Sequence, residues 1–138
     1  MGGEDDSKVN RMKKKILLVD DEPDILEFFR KMCADVGYEI ATAQNGLDAL
    51  LMMLTNDYDV MMTNIKMPKI NGLELLQMAK EIKSDLKVIV CTGCHDLQDE
   101  AIKYGAYAYF KKPIIIDTIK DCLQGLNSTE KWVVVAHL

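Results

Sequence analysis

The chain has 138 residues, 49% of them hydrophobic and 28% charged, with a formal net charge of −5, the balance of a single folded domain with a substantial core. The acidic balance and the lack of a long Lys/Arg run weigh against non-specific nucleic-acid binding, and no apolar run approaches the length that spans a bilayer. The opening residues, Met1-Gly2-Gly3-Glu4-Asp5-Asp6, are too polar for a signal peptide, so the cytoplasm is the expected compartment and Cys33, Cys91, Cys94 and Cys122 are expected to be free thiols.

Residues 1–12 show no hydrophobic periodicity and read as a flexible N-terminal arm. Lys13-Lys14-Lys15 leads into Ile16-Leu17-Leu18-Val19, a buried-strand pattern that ends on Asp20-Asp21-Glu22-Pro23. Ile25, Phe29, Met32, Cys33 and Val36 fall at helical spacing, with Gly37 as the stop. A short second strand, Glu39-Ile40-Ala41-Thr42-Ala43, precedes Asn45-Gly46. That pair opens a helix expected to bury Leu50, Met53 and Leu54, its Met52 and Met53 acting as core filler.

The third strand runs from Val60 to Thr63 and delivers Asn64 into a loop punctuated by Pro68 and Gly72. Leu75, Leu76, Ala79 and Ile82 mark a third helix, and Val88-Ile89-Val90-Cys91 a fourth strand that closes on Thr92-Gly93. A more polar helix over about residues 97–104 ends at Gly105, and Ala106-Tyr107-Ala108-Tyr109-Phe110 is the fifth strand. Lys111-Lys112-Pro113 leads into a last helix with Ile115, Ile119, Cys122 and Leu126 on one face. The domain is set at residues 13–127. In the remaining tail, residues 128–138, the short apolar run Trp132-Val133-Val134-Val135 could pack on the domain, add a strand or belong to a linker.

Five strands alternating with five helices imply an α/β, doubly wound, five-stranded parallel sheet covered on both faces, in the flavodoxin-like order 2-1-3-4-5. In such a fold the site lies outside the carboxyl ends of the strands. Asp20, Asp21, Asn64, Thr92 and Lys112 all fall at predicted strand ends, and that convergence outweighs the bland reading of each as a routine loop or capping residue.

The segment Asp59-Val60-Met61-Met62-Thr63-Asn64-Ile65-Lys66-Met67-Pro68-Lys69-Ile70-Asn71-Gly72 resembles the phosphoacceptor segment of response-regulator receiver domains of two-component phosphorelay systems. That segment usually reads Asp, four hydrophobic residues, Asp, two residues, Met-Pro, three residues and Gly. Asn64 stands where the family carries its phosphorylated aspartate. The resemblance covers about residues 13–126. It implies a signalling module, not an enzyme, in which Asp20, Asp21 and the backbone carbonyl of Lys66 hold Mg²⁺. Thr92 and Lys112 would contact the phosphoryl group, and Tyr109 would be the aromatic that rotates inward. A sensor histidine kinase or an output protein would dock on the region 97–126, where Tyr107 and Tyr109 are expected to be exposed. Direct nucleic-acid or membrane contact is not expected.

Asn64 changes what the resemblance implies. Asn is nearly isosteric with Asp, so the fold should tolerate it, but a neutral amide oxygen is a very poor nucleophile toward phosphorus. The acidic cluster also falls from three carboxylates to two, which weakens Mg²⁺ binding, to weak or absent, and relieves like-charge repulsion. The expected molecule is a pseudo-receiver or an Asp-to-Asn variant. Thr63 is a nearby hydroxyl, but strand alternation points it away from Asn64.

The rival from another class is a thiol-redox protein using Cys91-Thr92-Gly93-Cys94, a Cys-x-x-Cys between a strand and a helix. It is disfavoured, because Thr92 matches the receiver hydroxyl and Cys91 completes an apolar strand. A zinc site built from Cys91, Cys94 and His95 lacks a second ligand pair at suitable spacing, with His137 far off in the tail.

Overall fold

The computed structural model describes residues 13–94 and 96–126. The N-terminal arm, His95 and the tail from residue 127 onward lie outside the described residues. Ten elements alternate along the chain: β1 (Lys15–Val19), α1 (Pro23–Asp35), β2 (Glu39–Ala43), α2 (Gly46–Thr55), β3 (Val60–Thr63), α3 (Gly72–Ile82), β4 (Lys87–Thr92), α4 (Gln98–Lys103), β5 (Ala108–Lys111) and α5 (Ile116–Gln124). The strands form one parallel sheet in the order β2-β1-β3-β4-β5, as the alternation of elements implied. Ile16 pairs with both Ile40 and Val60, Met61 with Val88, and Ile89 with Ala108.

Successive residues of a strand point to opposite faces, and both faces here are buried, so the central strands are apolar throughout. Ile16, Leu18, Val60, Met62, Ile89, Cys91 and Phe110 pack beneath α1 and α5, against Leu26, Phe29, Met32, Ile119 and Cys122. Leu17, Val19, Met61, Val88, Val90 and Tyr109 pack beneath α2, α3 and α4, against Ala49, Met53, Leu75, Leu76, Ala79 and Ala101.

The helices start where local chemistry satisfies their first amides. Pro23 opens α1, where its missing N–H costs nothing. Asn45 caps α2 by accepting from the Asp48 N–H at 2.8 Å. Asn71 and Glu74 cap α3 reciprocally, each side chain accepting from the other's backbone N–H, at 2.9 and 3.0 Å. Gly37, with φ of +88°, takes the left-handed turn after α1 that a side chain would resist.

Several side chains differ from expectation. Leu54 and Ile82 are exposed, not buried. The sheet-facing arc of α2 runs through Gly46, Ala49 and Met53, and that of α3 through Leu75, Leu76 and Ala79, leaving their apolar neighbours outside. Strand β5 begins at Ala108, because the Ala106 N–H is spent on the Ala101 carbonyl that closes α4. Tyr107 and Tyr109 are buried, at 7% and 2% exposure, and so are not exposed aromatics of an output surface. The Tyr107 ring lies under the Lys87 ammonium, 5.6 Å from its centre.

Gly72 is where α3 presses on the end of β3. Its N–H donates to the Ile65 carbonyl at 2.8 Å, and a Cβ there would collide with the Asn64 carbonyl oxygen and the Ile65 backbone. Backbone cannot swing aside as a flexible side chain can. Gly72→Ala is therefore expected to lower unfolding free energy by about 2 kcal/mol in a urea titration. Gly93→Ala, whose Cβ would meet open space, should change it by less than about 1 kcal/mol.

Candidate functional site

The parallel ladder continues one residue beyond the strands and fixes the residues that follow them. The Asp20 N–H donates to the Ala43 carbonyl at 3.2 Å, the Asn64 N–H to the Val19 carbonyl at 3.2 Å, and the Lys112 N–H to the Thr92 carbonyl at 2.7 Å. Asp20, Asn64, Thr92 and Lys112 are thus carried to one edge of the sheet. Asp21 projects from the loop and is exposed.

Asp20 is only 3% exposed. Its Oδ1 accepts from the Glu22 N–H at 3.0 Å, which turns the chain into α1. Asp20, Thr63 and Asn64 border a small hollow whose remaining walls include Leu26, Phe29, Met62 and Cys91. Burial against these walls pushes the Asp20 carboxyl above the ordinary carboxylate range. The Glu22 N–H and the Lys112 ammonium act in the opposite direction without cancelling it.

The Asn64 side chain is held at both ends. Its Oδ1 accepts from the Ile65 N–H at 2.8 Å, and its Nδ2 donates to the Lys66 carbonyl at 3.3 Å. Thr63 is buried and donates its hydroxyl to the Asn64 carbonyl at 2.9 Å.

Across the edge, Thr92 and Tyr109 converge on one residue. Thr92 Oγ1, fully buried, accepts from the Cys94 N–H at 3.0 Å, and the Tyr109 hydroxyl donates to the Cys94 carbonyl at 3.0 Å. Both polar groups of the Cys94 backbone are therefore tied to the sheet. Nothing in the sequence signalled Cys94 as that shared anchor, because the contact uses main-chain atoms that any residue supplies. Lys112 follows β5 and precedes a cis peptide to Pro113.

The Cys-x-x-Cys segment lacks the features of a redox pair. Cys91 is buried and desolvation pushes its thiol far above the ordinary range, the reverse of what a nucleophilic thiolate needs. All four cysteines are free.

Two carboxylates, Asp20 and Asp21, and the Lys66 carbonyl are the oxygen donors that this edge offers a hard cation. The Lys66 carbonyl already receives the Asn64 amide, and among the described residues no three His, Cys, Asp or Glu side chains gather as a metal-holding group. A Mg²⁺ ion held here would rest on those two carboxylates and keep several waters.

The profile of the response regulator receiver domain family matches residues 16–124. The chain belongs to the response-regulator receiver family. Sporulation initiation phosphotransferase F of Bacillus subtilis is 34% identical to this receiver over 115 residues, covering 82% of this chain and 93% of that one. The chemotaxis protein CheY of Halobacterium salinarum is 36% identical over 122 residues, covering 81% and 98%. Among solved structures, the response regulator TrrA of Thermotoga maritima, in complex with Mg(2+)-BeF, superposes with a TM-score of 0.76 at 35% identity, covering 82% of this chain and 98% of that one. The receiver thus has the five-stranded, flavodoxin-like fold of two-component signalling. No helix among its described residues is long and apolar enough to cross a membrane.

The buried Asp20 gives the receiver a testable pH dependence. Its folded-state pKa lies above the unfolded one, so ionisation favours the unfolded chain and stability falls as pH rises through that window. Asp20→Asn keeps an oxygen for the Glu22 N–H and removes the charge. In chelator-treated buffer the variant should be more stable than the parent at pH 7, with the advantage shrinking as pH falls toward the ordinary carboxylate range. Denaturant midpoints across the pH series check this.

Proposed function

We propose that this receiver works without an acyl-phosphate switch, because Asn64 occupies the phosphoacceptor position. The observation that carries this reading is the double engagement of the Asn64 amide by the Ile65 N–H and the Lys66 carbonyl. A carboxylate there would accept the first bond but could only repel the second oxygen, leaving it for a cation. The amide nitrogen instead takes the place on Lys66 that the family resemblance gives to Mg²⁺. Positive charge at this edge comes from Lys112, which already favours the ionised form of Asp20.

Three consequences follow for signalling. The neutral amide does not attack a phosphodonor. Mg²⁺ binds weakly, through Asp20 and Asp21 alone. The β4–α4 loop is closed without a phosphoryl group, since Thr92 and Tyr109 both hold Cys94 and the Tyr109 ring is already inward. The receiver would act in the cytoplasm as a binding module, presenting the region 97–126 to a histidine kinase or an output protein in one fixed arrangement. Ile115 and Ile116, exposed at the start of α5, give that region an apolar contact point. Net acidity disfavours direct nucleic-acid contact.

The experiment is intact-mass analysis after incubation with Mg²⁺ and a small acyl phosphate, comparing the parent with Asn64→Asp. The variant should gain one phosphoryl group and be stabilised by Mg²⁺ in a thermal melt, and the parent should do neither. A phosphorylated parent would overturn the reading. An unmodified Asn64→Asp would show that Asn64 is not what silences the site.

A further inference from the structure

The two edges of the sheet are guarded differently. An open strand edge offers unpaired N–H and C=O groups, and charged residues or a proline commonly blunt it. Strand β5 ends on Lys111 and runs straight into Lys112-Pro113. Strand β2 has neither device. After Glu39, which pairs with Lys15 at 3.8 Å, it reads Ile40-Ala41-Thr42-Ala43. Among the described residues, β1 is its only partner. The Glu39 N–H donates to the Lys14 carbonyl at 2.8 Å, and the Ala43 carbonyl accepts from the Asp20 N–H at 3.2 Å. Residues 39, 41 and 43 therefore turn their main-chain groups toward β1. Successive residues of a strand alternate in this respect, so the N–H and C=O of Ile40 and Thr42 turn outward along the free edge. Space is open there too, because Thr42 borders a hollow with Met52 and the half-exposed Leu51 of α2.

The chain leaves the described structure near the start of this strand. Tyr38, which leads into β2, is buried with Leu123 and Leu126, and its hydroxyl donates to the Leu123 carbonyl at 2.6 Å. Leu126 also shares a crevice with Lys14, the residue before β1. From the foot of β1, a strand added beside β2 stands two strand spacings away, about 10 Å. The polar link Asn127-Ser128-Thr129-Glu130-Lys131 reaches about 17 Å when extended. Trp132-Val133-Val134-Val135 follows it, a run of the aromatic and β-branched residues that favour strands.

Handedness selects the edge. Helices α1 and α5 cover the same face of the sheet. A crossover between parallel strands is right-handed, and the β1–α1–β2 crossover steps over that face toward the β2 edge. A crossover from β5 through α5 has the same hand only when it steps in the same direction. It then ends beyond β2. A parallel strand placed beyond β5 would need the left-handed crossover.

We propose that this chain's own segment Trp132-Val133-Val134-Val135 joins the free edge of β2 as a sixth parallel strand, pairing with Ile40 and Thr42. The addition closes the unguarded edge and leaves α4 and β5, at the other end of the sheet, uncovered. The inference is independent of the role of Asn64.

Amide hydrogen exchange in the full chain, followed residue by residue by NMR, tests this. Val133→Pro and Val134→Pro lie outside the domain and have opposite parity, so one of them removes a ladder donor whichever way the segment faces. In the parent the Ile40 and Thr42 amides should exchange at least about tenfold more slowly than in the more disruptive of the two variants. The Ala41 amide, turned toward β1, should stay protected in all three proteins and serves as the internal control. Open-chain exchange of Ile40 and Thr42 in the parent would overturn the proposal. So would protection that survives both prolines. Protection of Ile40 and Thr42 that is lost on dilution, with Ala41 still protected, would also overturn it, by assigning the edge to a second copy of the chain.

Discussion

The backbone amides one residue past β1, β3 and β5 are each hydrogen-bonded to the neighbouring strand, and the edge of the sheet depends on those three bonds. They hold Asp20, Asn64 and Lys112 at the height of Thr92 without using any of their side-chain atoms. A side chain whose main chain is already fixed can be changed without loss of position. The amide at the end of β3 therefore sits in a backbone frame that does not depend on its side chain.

The architecture was legible because it rests on patterns that survive any one exception. Five apolar runs, each closed by Asp, Asn, Thr or Lys or by a Pro/Gly turn, determine strand number, parallel pairing and the edge that bears the site. Side-chain exposure was less legible where periodicity alone had to decide it. Leu54 and Ile82 continue the apolar repeat of their helices, yet a sheet covers only a narrow arc of a helix, and the repeat does not say where that arc stops. Tyr107 and Tyr109 look amphipathic in sequence. Their burial follows from Lys87 above one ring and the Cys94 carbonyl waiting for the other hydroxyl, neither of which has a local sequence signal. The anchor role of Cys94 was invisible for the same reason: main-chain acceptors carry no residue code.

Asn64 redistributes charge at the edge. With an amide there, one buried carboxylate, Asp20, bears a desolvation cost that Lys112 partly offsets. A second carboxylate in the same hollow would add like-charge repulsion that a bound cation would relieve. Such a metal-dependent balance makes a switch sensitive. Under the proposed reading, an amide at position 64 leaves the edge with no such repulsion for an ion to relieve.

Three of the four thiols, Cys33, Cys91 and Cys122, are sealed in the core beneath α1 and α5, and burial raises those of Cys33 and Cys122 to about 12. Cys94 alone is partly exposed, and it is the residue that Thr92 and Tyr109 hold in place. The unaltered protein therefore carries a single addressable thiol, on the β4–α4 loop. A label attached there would ride on the β4–α4 loop itself, so the surroundings of that loop could be followed spectroscopically without engineering any other position.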